Sequence, residues 1–355
     1  MSEKDQIRTS INVGWLILNY KCNNRCSGCY AQNTNFIDQP MPFGGALKIM
    51  SMLKQMEIKN CLLIGGEPTL YNRLVDMLNA GRKYGLNLKL ITNGRKLANK
   101  QYLLSLIKAG LKHACISVEG AAEKTHNSIT KTKSFHEVVA GIQNCLSLGL
   151  PINTLFTISR YNFHEIVPLA EMMNELGVID IMYNIGLPTP NTKYSSPDND
   201  FVLSPIEAAA IISGAFISLK TRGIRVKFYL TIPLCLIDPS ILEEMLHDHY
   251  VSSGAYCHVF YGRGVAFEPN GNVLPCTHFA NYSLFNMISD KIEDAEDFKK
   301  VWHSSKGIHG EFREAIWQYP HSNCKDCRHW GKCVGGCPLL WTHFDPNEVI
   351  GRKEV

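Results

Sequence analysis

Three cysteines fall within eight residues, Cys22, Cys26 and Cys29 in the run KCNNRCSGCYAQ, directly after the apolar stretch from Gly14 to Leu18. Thiolates at that spacing on one tight loop can point at a single iron–sulfur cluster, with Gly28 giving the backbone room to wrap. Three ligands leave one iron without a protein donor, and that position can take a substrate-like molecule. A zinc loop or plain thiols are the other readings of the loop alone, although zinc sites usually pair two CxxC units. A second concentration of sulfur lies toward the C-terminus, at Cys235, Cys257, Cys276, Cys324, Cys327, Cys333 and Cys337. The last four stand as CxxCx5CxxxC in NCKDCRHWGKCVGGCP, which taken locally is also a zinc-knuckle pattern.

The elements that must hold these groups alternate along the chain. Strands are predicted at Val13–Asn19, Asn60–Ile64, Leu88–Thr92, Ala114–Val118, Ile152–Ile158 and Ile179–Ile185. Amphipathic helices are predicted between and after them at Gly44–Gln55, Arg73–Tyr84, Tyr102–Ala109, Phe135–Leu148, Phe163–Leu176 and Pro205–Thr221, with Gly110, Gly149 and Gly177 as stops. Such a rhythm builds a parallel sheet with helices outside, as an open doubly wound sheet or a barrel, and places active groups at the strand C-termini. The polar motifs obey that rule. GGEP at Gly65, Gly66, Glu67 and Pro68 follows the second strand, Thr92 and Asn93 end the third, and Ser117 and Glu119 end the fourth. Two glycines let a backbone approach a ligand closely, and Glu67 beside them can pair with an ammonium group.

The cysteine loop, its trailing Tyr30 and the GGEP turn resemble the signature of the radical S-adenosylmethionine (radical SAM) superfamily. The resemblance implies a partial (β/α)6 barrel and a [4Fe-4S] cluster on Cys22, Cys26 and Cys29, whose open iron binds the amino and carboxylate groups of SAM. It further implies SAM contacts from Gly65, Gly66, Glu67, Pro68, Thr92, Asn93, Ser117 and Glu119. The family pattern after the fourth strand has Asp, His and Arg where this chain has Glu119, His126 and Thr130. The carboxylate contact is therefore open, with Arg160 after the fifth strand as a substitute.

Past Thr221 the alternation weakens, and a division into residues 1–223 and 224–355 is expected. Cys257 with GNVLPC ending at Cys276, and the CxxCx5CxxxC run, resemble the SPASM domains that carry auxiliary clusters in peptide-modifying radical SAM enzymes. EPNGNV also reads as a hairpin turn between the two flanking cysteines. The SPASM pattern closes with a further cysteine, and none follows Cys337 in this sequence. The resemblance assigns Cys257, Cys276 and Cys337 to one auxiliary cluster, with Cys235 as a further candidate. It assigns Cys324, Cys327 and Cys333 to another, with Asp345, His343 or an exogenous molecule as fourth ligand, or leaves a single auxiliary cluster. Cys235 is alternatively a thiol that returns a hydrogen atom, and His278 a proton acceptor. Cys61, Cys115 and Cys145 lie in apolar contexts and are expected in the core.

Composition narrows the partners. The chain of 355 residues carries a net charge of +4, too mild to suggest nucleic acid, and no run approaches membrane-spanning length. A polar N-terminus and thirteen cysteines fit a reducing cytoplasm. The resemblance implies SAM cleavage, hydrogen-atom abstraction and an electron donor such as flavodoxin or ferredoxin. It favours a ribosomally made peptide as substrate, with crosslinking, dehydrogenation or epimerisation as outcome. With about a dozen residues before the first strand, a peptide is expected to need a separate recognition protein or to bind the C-terminal module. Sulfatase-maturing relatives often carry an acid where Thr277 follows Cys276, which argues against formylglycine formation here. A small molecule such as an aminosugar is the alternative substrate, and a non-catalytic metal-binding scaffold is a further reading. Tyr194–Asp200 is expected to be a mobile loop over the barrel mouth.

Overall fold

Six parallel strands come first in the computed structural model, which describes residues 11–31, 39–188, 201–251, 257–280 and 282–351. They are β1 (Val13–Ile17), β2 (Asn60–Ile64), β3 (Asn87–Thr92), β4 (Ala114–Ser117), β5 (Ile152–Ile158) and β6 (Ile181–Ile185). Helices α1 (Phe43–Gln55), α2 (Leu74–Tyr84), α3 (Lys100–Ala109), α4 (Glu123–Thr130), α5 (Phe135–Ser147), α6 (Ile166–Glu175) and α7 (Pro205–Thr221) return the chain between and after them. Each expected strand and helix is present within a few residues. The helix α4 was not anticipated, because EKTHNSIT offers Ile129 as its single large aliphatic residue and so lacks an apolar stripe. The expected loop at Tyr194–Asp200 lies outside the described residues.

The C-terminal part adds β7 (Lys227–Phe228), α8 (Pro239–His247), α9 (His258–Tyr261), β8 (Gly264–Phe267), β9 (Asn272–Leu274), β10 (Phe285–Asn286), α10 (Ala295–His303), α11 (Ile308–Ile316) and α12 (Pro346–Val349). All ten strands form one open sheet in the order β10-β9-β8-β1-β2-β3-β4-β5-β6-β7. Consecutive neighbours from β1 to β6 are the order of an open, partial (β/α)6 barrel. The sheet crosses the expected division at residues 223 and 224 on both sides: β7 lies parallel to β6, and β8 lies parallel to β1, pairing Val13 with Gly264 and Leu16 with Phe267. Among the described residues no helix is long and apolar enough to cross a membrane.

The helices seal the sheet because their apolar faces repeat with the helical period. On α1, Ala46, Ile49, Met50 and Leu53 are buried. Farther along, Phe156 on β5 meets Tyr183 on β6 edge to face at 5.4 Å, and Tyr183 stacks on Phe228 of β7. Each large apolar side chain buried this fully contributes about 1.5–3 kcal/mol. Cys61, Cys115 and Cys145 lie inside this core as expected. That leaves ten cysteines for the strand ends and the C-terminal part.

Candidate functional site

The loop after β1 carries Cys22, Cys26 and Cys29 and is held from three sides. From α4, the carbonyls of Thr130 and Ile129 accept the Arg25 and Ser27 backbone N–H groups at 3.0 and 2.8 Å. From the end of β3, Asn93 Nδ2 donates to Asn23 Oδ1 at 2.7 Å, and the Arg95 guanidinium donates to the Asn23 carbonyl and Asn24 Oδ1. Gly28 adopts φ +71°, and a Cβ there would stand 2.2 Å from the Phe201 ring, so the loop turns tightly under that side chain. Arg95 escaped the sequence reading, although it directly follows TNG at a strand C-terminus.

From the end of β2, the Gly66 and Glu67 N–H groups donate to the carbonyls of Asn19 and Lys21 at 2.7 and 2.9 Å. A Cβ on Gly65 would sit 2.2 Å from the Asn19 carbonyl oxygen, and one on Gly66 2.4 Å from that of Tyr20. The glycines thus admit the backbone of the cysteine loop itself, a different use from the approach to a ligand read in the sequence. Glu67 is buried and braces the turn. Its Oε1 accepts from Thr69 N, Thr69 Oγ1 and Thr92 Oγ1 at 2.9, 2.6 and 2.7 Å, and its Oε2 accepts from Asn93 N at 2.8 Å. Glu67, Thr92 and Asn93 therefore hold one another, while Pro68 starts the short helical turn that ends at Leu70.

The three sulfurs lie within electrostatic reach of one another. Cys22 is raised to about 11 by desolvation and further by the charges of Glu67 and Cys29; Cys26 is raised by burial and then by Glu119, Cys29 and Cys22. Thiols that resist ionisation, as those of Cys22 and Cys26 do, suit a cationic group, because coordination removes their protons and cancels the mutual repulsion. The Asn24 N–H donates to Cys22 Sγ at 3.3 Å. Glu119 lies beside Cys26 and is raised to about 7 by burial. Its backbone N–H donates to His126 Nδ1 at 3.2 Å, so His126 carries its proton on Nε2 and donates to Ser134 Oγ. Thr130 is buried, donates its hydroxyl to the His126 carbonyl and offers no cation. Arg160, the substitute read in the sequence, follows β5. Its guanidinium is paired with both oxygens of Glu207 at 2.8 Å, where Glu207 closes the capping box of α7. Ser117 closes β4 opposite Leu155 of β5.

A second sulfur set adjoins the first. Cys257, Cys276 and Cys337 perturb one another, and the charges of all three reach Tyr229. The expected hairpin is present: β8 and β9 pair antiparallel across the EPNG turn. His278 Nδ1 lies 3.6 Å from Cys276 Sγ. Burial pushes the Cys276 thiol up, but the hydrogen bonds and charge of His278, with Thr277, outweigh it and hold the thiol below its ordinary value. His278, read in the sequence as a proton acceptor, is thus placed as the partner of a sulfur. Tyr30 bridges the two sets. Its ring lies 4.9 Å from that of His278, and it feels the charges of both Cys29 and Cys276. Nearby, the buried Tyr20 hydroxyl donates to the buried Glu268 carboxylate, tying the loop after β1 to the β8–β9 hairpin. Neither Tyr229 nor the Tyr20–Glu268 pair carried a signal in the sequence, since they meet through pairing of remote strands.

A third set comprises Cys324, Cys327 and Cys333, again mutually coupled. Cys235 lines the same cavity as these three, and no residue of the second set does, which corrects its expected place beside Cys257, Cys276 and Cys337. His343 packs on Phe344, and Asp345 caps α12 through the Asn347 N–H at 2.8 Å; neither reaches the cavity.

A model of the radical SAM superfamily matches residues 16–173, and one of an iron–sulfur cluster-binding domain, SPASM, matches residues 257–328. Among curated proteins, a probable GTP 3',8-cyclase of Saccharolobus islandicus is 29% identical over 168 residues, 47% of this chain and 54% of that protein. The Fe-coproporphyrin III synthase of Methanosarcina barkeri is 24% identical over 156 residues, 44% of this chain and 39% of that one. The chain thus spans about half the length, or less, of the curated relatives it matches. Among solved structures, Streptococcus suis SuiB bound to precursor peptide SuiA superposes with a TM-score of 0.71 at 15% identity, over 97% of this chain and 76% of that one. Native anSMEcpe with bound AdoMet superposes at 0.70 and 18% identity, over 92% of this chain and 90% of that one.

Proposed function

We propose that this chain, which belongs to the radical SAM superfamily and carries a SPASM iron–sulfur domain, modifies a ribosomally made peptide by crosslinking, dehydrogenation or epimerisation. Cys22, Cys26 and Cys29 would hold the SAM-binding [4Fe-4S] cluster; their shared electrostatic environment, with an N–H donor on Cys22, fits that group. The second and third sulfur sets would hold auxiliary clusters. When bound, the reduced cluster supplies the electron that splits SAM into methionine and a deoxyadenosyl radical able to take a hydrogen atom from substrate.

The protein residues orient and enclose. The Gly65–Gly66 turn would take the SAM ammonium, and Glu67, Thr92 and Asn93 hold that turn together. Arg95 fixes the loop through Asn23 and Asn24. Glu119, with its carboxyl raised to about 7, can hold or release a proton beside Cys26 near neutral pH. An electron donor such as flavodoxin or ferredoxin, and a separate leader-recognition protein, complete the reading.

The observation that carries it is the Tyr30–His278 contact, which supports an auxiliary site next to the loop that would bind SAM. An auxiliary cluster held by Cys257, Cys276 and Cys337 would there supply a one-electron acceptor close to the substrate. The likeness of fold to SuiB bound to its precursor peptide, and to anSMEcpe solved with a bound peptide, supports a peptide in that space. The GTP 3',8-cyclases match less than half of this chain and bear on the SAM domain more than on the substrate.

The test is the mass of a short peptide encoded beside the gene, co-expressed anaerobically with the enzyme in ordinary and in deuterated water. Loss of two hydrogens means a crosslink or dehydrogenation, and one solvent deuteron gained at carbon means epimerisation. An unchanged peptide beside an enzyme that still cleaves SAM would point to a small-molecule substrate.

A further inference from the structure

The third sulfur set borders a cavity of about 230 Å³. A water molecule in the liquid takes about 30 Å³, so this space suits a group of several atoms better than one ion. Cys324, Cys327 and Cys333 line it together with Cys235, and Trp330 and Pro233 form apolar walls. Cys235 sits in the short helical turn Leu234–Leu236, far from the others in sequence. Three contacts tie that segment to the cysteine run. The Leu234 N–H donates to Cys333 Sγ at 3.2 Å, the Cys337 N–H donates to the Thr231 carbonyl at 2.7 Å, and Gly336 lies so close that a Cβ on it would stand about 3.0 Å from Pro233.

We infer that Cys235 is the fourth protein ligand of the iron–sulfur cluster held by Cys324, Cys327 and Cys333. The inference rests on the reading of the C-terminal module as a cluster domain and assigns a ligand within it. Its chemistry follows from the donor set. Four thiolates leave no iron open for substrate and set a lower potential than an oxygen or imidazole ligand would. Such a site would leave substrate no iron to bind, which fits a cluster that carries electrons. Competing donors on the same cavity are Asn323 and His329; His329 Nε2 lies 3.2 Å from Arg328 Nε and accepts from it.

The test uses the full chain, purified anaerobically and reconstituted with iron and sulfide. Iron and sulfide per chain and EPR spectra are compared for Cys235→Ala, Cys235→Ser, Cys327→Ala and His329→Ala. With three clusters per chain, Cys235→Ala and Cys327→Ala are each expected to lose about a third of the iron or to show a three-iron signal. Cys235→Ser keeps iron with a shifted spectrum, and His329→Ala matches the unsubstituted protein. In the unsubstituted holoprotein, Cys235 resists iodoacetamide until a chelator strips the metal, a readout that requires no variant to fold. Wild-type iron and spectra in Cys235→Ala, with loss in Cys327→Ala, would overturn the assignment alone. No loss in either variant would overturn the cluster reading of the module and the assignment with it. Alkylation of Cys235 in the iron-loaded holoprotein would also overturn it.

Discussion

Glu67 accepts from four donors while buried, which makes its carboxylate a structural brace as well as part of a binding turn. In Glu67→Gln the amide nitrogen must face one of those N–H or O–H groups. An unsatisfied buried donor costs about 2 kcal/mol, and thermal unfolding should show the loss. Replacing Cys22, Cys26 and Cys29 together by Ala should abolish SAM cleavage while the C-terminal iron stays, as measured by deoxyadenosine release and iron per chain. Full cleavage in that variant would contradict the site. His126 makes a third residue-scale case. Burial first, then Arg95, depress it to about 4, against about 6.5 in an unfolded chain. The unfolded state thus takes up a proton below pH 6.5 that the folded state refuses until about pH 4. Stability is full above 6.5 and falls as pH drops through that window, by up to about 3 kcal/mol. His126→Gln should flatten the melting temperature against pH between 7 and 4.5.

Elements meet at the barrel mouth through backbone contact. The end of β2 lies against Asn19, Tyr20 and Lys21, and α4 grips Arg25 and Ser27. A methyl group at Gly65 or Gly66 has to displace a carbonyl oxygen, so Gly65→Ala and Gly66→Ala should lower both iron at the first site and SAM affinity by at least tenfold. Gly44→Ala, where a Cβ meets nothing within 4 Å, is the control and should change neither. The strands and long helices were legible beforehand because their apolar residues repeat at the strand or helix period. The helix α4 was hidden: its inward residues are His126, Ile129 and Thr130, and two of these are polar and buried by tertiary bonds.

At the scale of the whole molecule, the C-terminal part completes the sheet. β8 covers the edge of β1, and the hairpin it starts carries Cys276 to Tyr30. A chain ended after residue 223 would expose that edge with its row of unpaired N–H and C=O groups, a template for aggregation. Such a fragment is expected to sediment or to bind little iron at the first site, while the full chain stays in solution; a monomeric fragment that cleaves SAM normally would show the two parts to be independent.

Local spacing determined the first cysteine site, the hairpin before Cys276 and the six βα units, because each is written in contiguous residues whose geometry is set by a turn or a period. Grouping the remaining thiols needed the fold. Cys235 stands far from Cys324 in sequence, and only the packing of the Leu234–Leu236 turn against Cys333 brings it to that cavity. The pairing of Arg160 with Glu207, which reaches it from α7, likewise needed the fold. The reason is physical: turns and periods are local, whereas which donors share a cavity or an ion pair depends on how remote segments pack.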